Sequence, residues 1–137
     1  MLLVSACLAG FRCRYDAKTC PDAEIVALVR QGKAIPVCPE VFGGLPCPRV
    51  PAERTADGSC VVAKDGRDVT EAFRLGAEET LRIAALYGCD HAILKARSPS
   101  CGKGEIYDGT FSGVLRDGNG LTTDLLLEHG ITVTVKE

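Results

Sequence analysis

Three cysteines, each at the end of an apolar run, have the most to offer chemically in this chain. Cys7 follows Leu2-Leu3-Val4-Ser5-Ala6, Cys38 follows Ala34-Ile35-Pro36-Val37, and Cys101 stands in a Ser-Pro-Ser-Cys-Gly loop behind His91-Ala92-Ile93-Leu94. Short apolar runs bounded by turn residues read as buried strands, and each run gives way to a loop containing Gly or Pro. If the runs are parallel strands of one sheet, three thiolates converge at its carboxyl edge, where open α/β sheets bind ligands. Thiolates gathered there suit a soft metal. The close Cys-Cys knuckles of structural zinc do not occur, nor do the short multi-cysteine runs of ferredoxins. Three widely spaced thiolates fit a cubane iron–sulfur cluster whose fourth iron stays open to solvent or substrate. A zinc ion with three cysteines and a water has the same count, so spacing alone leaves both. Cys13, Cys20, Cys47, Cys60 and Cys89 lack the strand-end placement, and Cys89, after a helix end, reads as core.

The elements that must position these residues follow from periodicity. A first strand covers about Leu2 to Ala6 and turns at Gly10; a second covers Ala34 to Val37, with Pro36 arguing for an irregular or edge position. Between them Pro21 suits a helix start, Ile25, Leu28 and Val29 recur at helical spacing, and Gly32 ends the helix. Residues 38–54, with Pro39, Pro46, Pro48, Pro51 and Gly43-Gly44, read as a long ordered loop. Thr55 to Val62 reads as a small hairpin or extended excursion around Asp57-Gly58. Asp68-Val69-Thr70-Glu71 reads as a capping box opening a helix to Gly88. The third strand is His91 to Lys95, a small-residue loop spans Tyr107 to Gly113, Thr122 or Thr123 caps a last helix, and Ile131 to Val135 is the last strand. Alternating strands and helices of this kind predict an α/β fold: a single Rossmann-like domain over 1–137, with a mostly parallel sheet of about four strands and helices on both faces.

Composition narrows the partners. A formal net charge of −2 leaves no basic footprint for nucleic acid or an anionic membrane, and three Tyr, four Phe and no Trp leave few stacking platforms. The expected partner is a small molecule. No run is long enough for a membrane span. Met1 to Cys7 superficially resembles a lipoprotein cleavage site but has no basic segment and too short an apolar one. A cytoplasmic location is expected, where eight cysteines would stay reduced and serve metal binding, catalysis or core filling.

Several linked stretches carry a resemblance. Ser5-Ala6-Cys7-Leu8-Ala9-Gly10, Cys13-Arg14-Tyr15-Asp16, Val37 through Pro46, Ala92 through Gly102 and Ile106 through Gly113 together resemble the thiouracil desulfurase family over nearly the whole chain. The resemblance implies a Rossmann-like domain holding a [4Fe–4S] cluster through Cys7, Cys38 and Cys101, with one iron not ligated by protein, and it implies that Glu40 and Ser98 matter for catalysis. It further implies a non-redox enzyme that removes sulfur from a thiolated pyrimidine such as 2-thiouracil, leaving the oxo base and sulfide. Glu40, two residues after Cys38, would activate a water; Ser98 and Ser100 could donate to a substrate carbonyl or ring nitrogen. Asp108, Thr110 and Ser112 form a further polar loop at the same edge, with Ser112 a candidate for substrate binding. Lys95 and Arg97 could bind an anion or balance the cluster's charge. Two alternatives stand beside this reading: a cluster-free sulfurtransferase with a persulfide on Cys101 or Cys47, and a zinc- or cluster-binding module without catalysis.

Overall fold

The computed structural model describes residues 1–137. In chain order its elements are β1 (Leu2–Ser5), a 3-10 turn (Ala6–Ala9), α1 (Ala23–Arg30), β2 (Ala34–Val37), α2 (Pro39–Phe42), β3 (Ala52–Arg54) and β4 (Val61–Ala63). There follow α3 (Thr70–Leu86), β5 (His91–Lys95), β6 (Glu105–Tyr107), β7 (Leu115–Asp117), α4 (Leu121–Glu128) and β8 (Thr132–Lys136). Four strands form one parallel sheet in the order β2-β1-β5-β8. Leu2 lies opposite both Ala34 and His91, and His91 opposite Thr132, so the strands start level and end on one edge.

The alternation of side chains along each strand decides which helix covers which face. Leu3, Val37, Leu94 and Val133 pack with Ala84 of α3 and Leu126 of α4. Val4 packs on the other face with Ile25 of α1. Helices therefore cover both faces, as a parallel sheet requires. β2 is an edge strand, the position where Pro36, lacking an amide hydrogen, costs least. No helix is long and apolar enough to cross a membrane.

Several local expectations are corrected. Asp68 is not the cap of α3: Val69 is, and Asp68 Oδ1 accepts from Thr70 N at 2.9 Å, so the turn forms one residue later than a capping box would set it. Gly120, not a threonine, caps α4, because Thr122 and Thr123 are buried and bonded to the cysteine loop instead. The Asp57-Gly58 turn does close a hairpin, but its strands begin earlier, with Ala52 paired to Ala63. A second hairpin, β6–β7, pairs Glu105 with Asp117, where only a loop was expected around Tyr107.

Two close approaches set the sheet's working edge. α2 lies directly on α3, and a Cβ on Gly76 would come 1.9 Å from Pro39 O. Gly120 meets the cysteine loop as tightly, since a Cβ there would fall 2.3 Å from the Ser100 backbone. Only glycine lets these backbones touch.

Candidate active site

Beyond the carboxyl edge of the sheet lies a cavity of about 460 Å³, and Cys7, Cys38 and Cys101 all line it. Each is delivered by a strand end: Cys7 in the 3-10 turn after β1, Cys38 as the N-cap of α2 after β2, and Cys101 in the loop after β5. Cys7 and Cys101 are buried and Cys38 is half-buried, and all eight cysteines are free thiols. No three His, Cys, Asp or Glu side chains sit close enough to hold a single metal ion. Three soft thiol donors from three strand ends line one cavity, a donor set of the chemistry an iron–sulfur group takes.

The Cys101 loop is built from its own side chains and from α4. Ser98 Oγ accepts from Cys101 N at 2.7 Å, and Thr123 Oγ1 donates to Cys101 O at 2.9 Å. Arg97 is at φ 74, a left-handed conformation that lets the chain double back. Its guanidinium pairs with Glu137 at 2.7 Å. Ser5 Oγ accepts from Lys95 N at 2.8 Å, which ties the end of β1 to the end of β5 beside the cavity.

Electrostatically the wall is basic. Arg14, Arg49, Lys64, Lys95 and Arg97 line it against the carboxylates Glu40 and Glu53. The surroundings favour the protonated thiol at Cys38, Cys101 and their neighbour Cys13. Cys38 is raised well above the usual thiol range by its contact with Cys13 and by burial. Burial pushes Cys101 up to about 12. The contact with Cys38 works the other way on Cys13, but Cys7 and burial raise it to about 11.

Of the other expected residues, Glu40 and Ser98 reach the cavity wall; Ser100 and Ser112 do not. Ser100 is 1% exposed and turned inward, bonded to Thr122 Oγ1 at 2.9 Å. Ser112 is exposed and bonded to Thr110. Direct substrate contact, expected for both, does not match where they stand: Ser100 braces α4 and Ser112 shapes its own loop. Cys47 is also off the wall, its thiol directed at the carbonyls of Arg12 and Arg14 at 3.0 and 3.1 Å.

Among the wall residues that escaped the sequence reading, Cys13, Arg49 and Phe111 matter most. Cys13 lies against Cys38, whose thiol donates to Cys13 O at 3.6 Å. Arg49 is 5% exposed at its side chain and meets Glu40 at 3.3 Å. Phe111 reaches the wall from a backbone at φ 57, an arrangement held by Glu53 Oε1, which accepts from Gly109 N at 2.9 Å and Phe111 N at 3.1 Å. The strained backbone at Phe111 is the one signal that side-chain types alone could not have carried.

Comparison with known proteins places the chain in a family. The family model described as 2-thiouracil desulfurase matches residues 2–137. An uncharacterized protein of Bacillus subtilis, YbbK, is 43% identical over 141 residues, covering 97% of this chain and 93% of that protein. The solved structure of a [4Fe-4S]-dependent thiouracil desulfidase, TudS, superposes with a TM-score of 0.92 at 47% identity, over 98% of this chain and 89% of that one.

Proposed function

The chain belongs to the 2-thiouracil desulfurase family, and from that premise we propose that it is a [4Fe–4S]-dependent desulfurase that converts a thiolated pyrimidine such as 2-thiouracil to the oxo base and sulfide. The observation that carries the reading is the meeting of three thiols, from three different strand ends, with Glu40 and Ser98 on the wall of one cavity. Cys7, Cys38 and Cys101 would hold the cluster and would leave one iron without a protein ligand. When bound, the cluster supplies a thiophilic Lewis acid that draws electron density from the C=S carbon.

The chain's own residues do the rest. Glu40 takes a proton from a water and aims its oxygen at that carbon. Ser98 accepts from Cys101 N and still has its hydroxyl hydrogen to give to the substrate's carbonyl or ring nitrogen. Lys95 and Arg97 offset negative charge on the departing sulfur. The balance is thiocarbonyl plus water giving carbonyl plus hydrogen sulfide, with no net oxidation or reduction of the carbon.

A persulfide on Cys101 without a cluster is disfavoured, because burial holds that thiol protonated and so poorly nucleophilic. Eight cysteines without a disulfide framework in their spacing suit a reducing compartment, and we assign the protein to the cytoplasm. Anaerobic reconstitution with iron and sulfide, followed by assay of 2-thiouracil, tests the reading. Uracil and sulfide should appear in equal amounts, and only from protein that has taken up iron. Turnover by iron-free protein, or none by fully loaded protein on any thiolated pyrimidine, would reject it.

A further inference from the structure

Arg49 is the buried cation of the cavity wall, and the reaction as described leaves it idle. Its side chain is 5% exposed, and its only carboxylate partner is Glu40, Nη2 to Oε2 at 3.3 Å. The same Nη2 donates to Cys13 O at 3.0 Å, and Nη1 donates to Pro46 O at 3.1 Å. Nε is buried with no hydrogen-bond partner at all. A buried guanidinium with an orphaned donor is costly to keep, so its place calls for a purpose beyond filling space.

The pattern of contacts supplies one. Glu40 sits on a four-residue helix, too short to fix a long side chain by itself. Its Oε2 meets Arg49 at 3.3 Å, and Oε1 accepts no hydrogen bond from the protein. Arg49 is anchored in turn by its own amide, which donates to Tyr15 O at 2.7 Å. The Cys13 carbonyl that it grips also accepts from the Cys38 thiol. One guanidinium thus links the residue beside the cluster, the acid and the proline-rich loop.

We propose that Arg49 is a positioning residue that clamps one oxygen of Glu40 and thereby leaves the other free to take the proton of the attacking water. The proposal rests on the desulfurase reading and adds a residue to it. A guanidinium pinned through both Nη atoms to the Pro46 and Cys13 carbonyls holds its charge at one place beside Oε2, where a lysine ammonium on a flexible stem would hold it less firmly. Arg49 acts on the reaction only through Glu40.

A double-mutant cycle of Glu40→Gln and Arg49→Gln in the reconstituted holoenzyme tests this, with Arg49→Lys as a milder variant and with iron content, cluster absorbance and melting temperature read alongside. Glu40→Gln should lower kcat on the order of 10²- to 10⁴-fold. Arg49→Gln should lower it about 10- to 100-fold, with KM for 2-thiouracil and iron per chain unchanged, and Arg49→Lys should recover part of the loss. The double variant should be no slower than Glu40→Gln alone. Multiplying losses in the double variant, a loss that appears in KM, or a loss that tracks missing iron in both Arg49 variants would each overturn the clamp. If Glu40→Gln is as active as the unaltered enzyme, the assignment of Glu40 itself fails, and that result is distinct from the others.

Discussion

At the scale of single residues, the proposed site divides into sulfurs that would hold iron and oxygens that would handle protons. Replacing Cys7, Cys38 or Cys101 by Ser should abolish or sharply lower the iron bound after reconstitution, measured as iron per chain and as the brown thiolate-to-iron absorbance. Cys89 is equally buried, at 7% exposed, but packs in the core among Ala84, Ala92 and Ile131. Cys89→Ser should therefore keep its iron and lose only stability. Ser98→Ala should keep the cluster and lose turnover on the order of 10²-fold, as when one polarising donor is removed. Its unfolding free energy should fall by about 1–2 kcal/mol, because Cys101 N loses its acceptor. The strand-end cysteines were legible from sequence because an apolar run, a thiol and a glycine follow one another. Arg49 and Cys13 were not, since nothing in Leu45-Pro46-Cys47-Pro48-Arg49 tells which residue turns inward. The placement of Ser100 and Ser112 was not legible for the same reason: a run of small polar residues announces a loop but not where its hydroxyls point.

At the scale of elements, the parallel strands were plain and the small antiparallel pieces were not. β1, β2, β5 and β8 are apolar enough to be read directly, to within a residue or two at the ends. β6 and β7 are three residues each, with Glu-Ile-Tyr facing Leu-Arg-Asp, too short for a periodicity to set them apart from a loop. α2 hides in a proline-rich stretch, although Pro39 at its first turn suits a helix start. That short helix depends on its neighbour. Gly76→Ala would drive a methyl against Pro39 O, so α2 must lift away from α3 and carry Glu40 with it. The variant should unfold at lower urea, by about 1–3 kcal/mol, and should also lose turnover. An alanine at Arg82, exposed on the same helix, should do neither.

At the scale of the whole molecule, acid is the condition that should unfold it. Asp57 is held down to about 2 by the hydroxyl of Thr55 and by the amide and hydroxyl of Ser59. Asp22 is lowered by the amide of Ile25 and by Lys136, and Asp108 by the hydroxyl and amide of Thr110. Each carboxyl binds its proton less readily folded than unfolded, so unfolding takes up protons. That stability is complete above the ordinary value of 3.8 and drains away as the pH falls through the folded value, for Asp57 between about 4 and 2. Urea midpoints of the iron-free protein should hold steady near neutrality and drop across that window. Asp57→Asn should flatten the drop.

The buttressing of the Cys101 loop by Gly120 and Thr123 bears on how the protein is made. Cys7 emerges from the ribosome first, yet the support for the third sulfur is synthesised after all three. On the proposed assignment the three donors lie far apart along the chain and meet only in the folded sheet, so loading would be an event of the finished fold. The metal would then enter a completed apoprotein through the same mouth as the base.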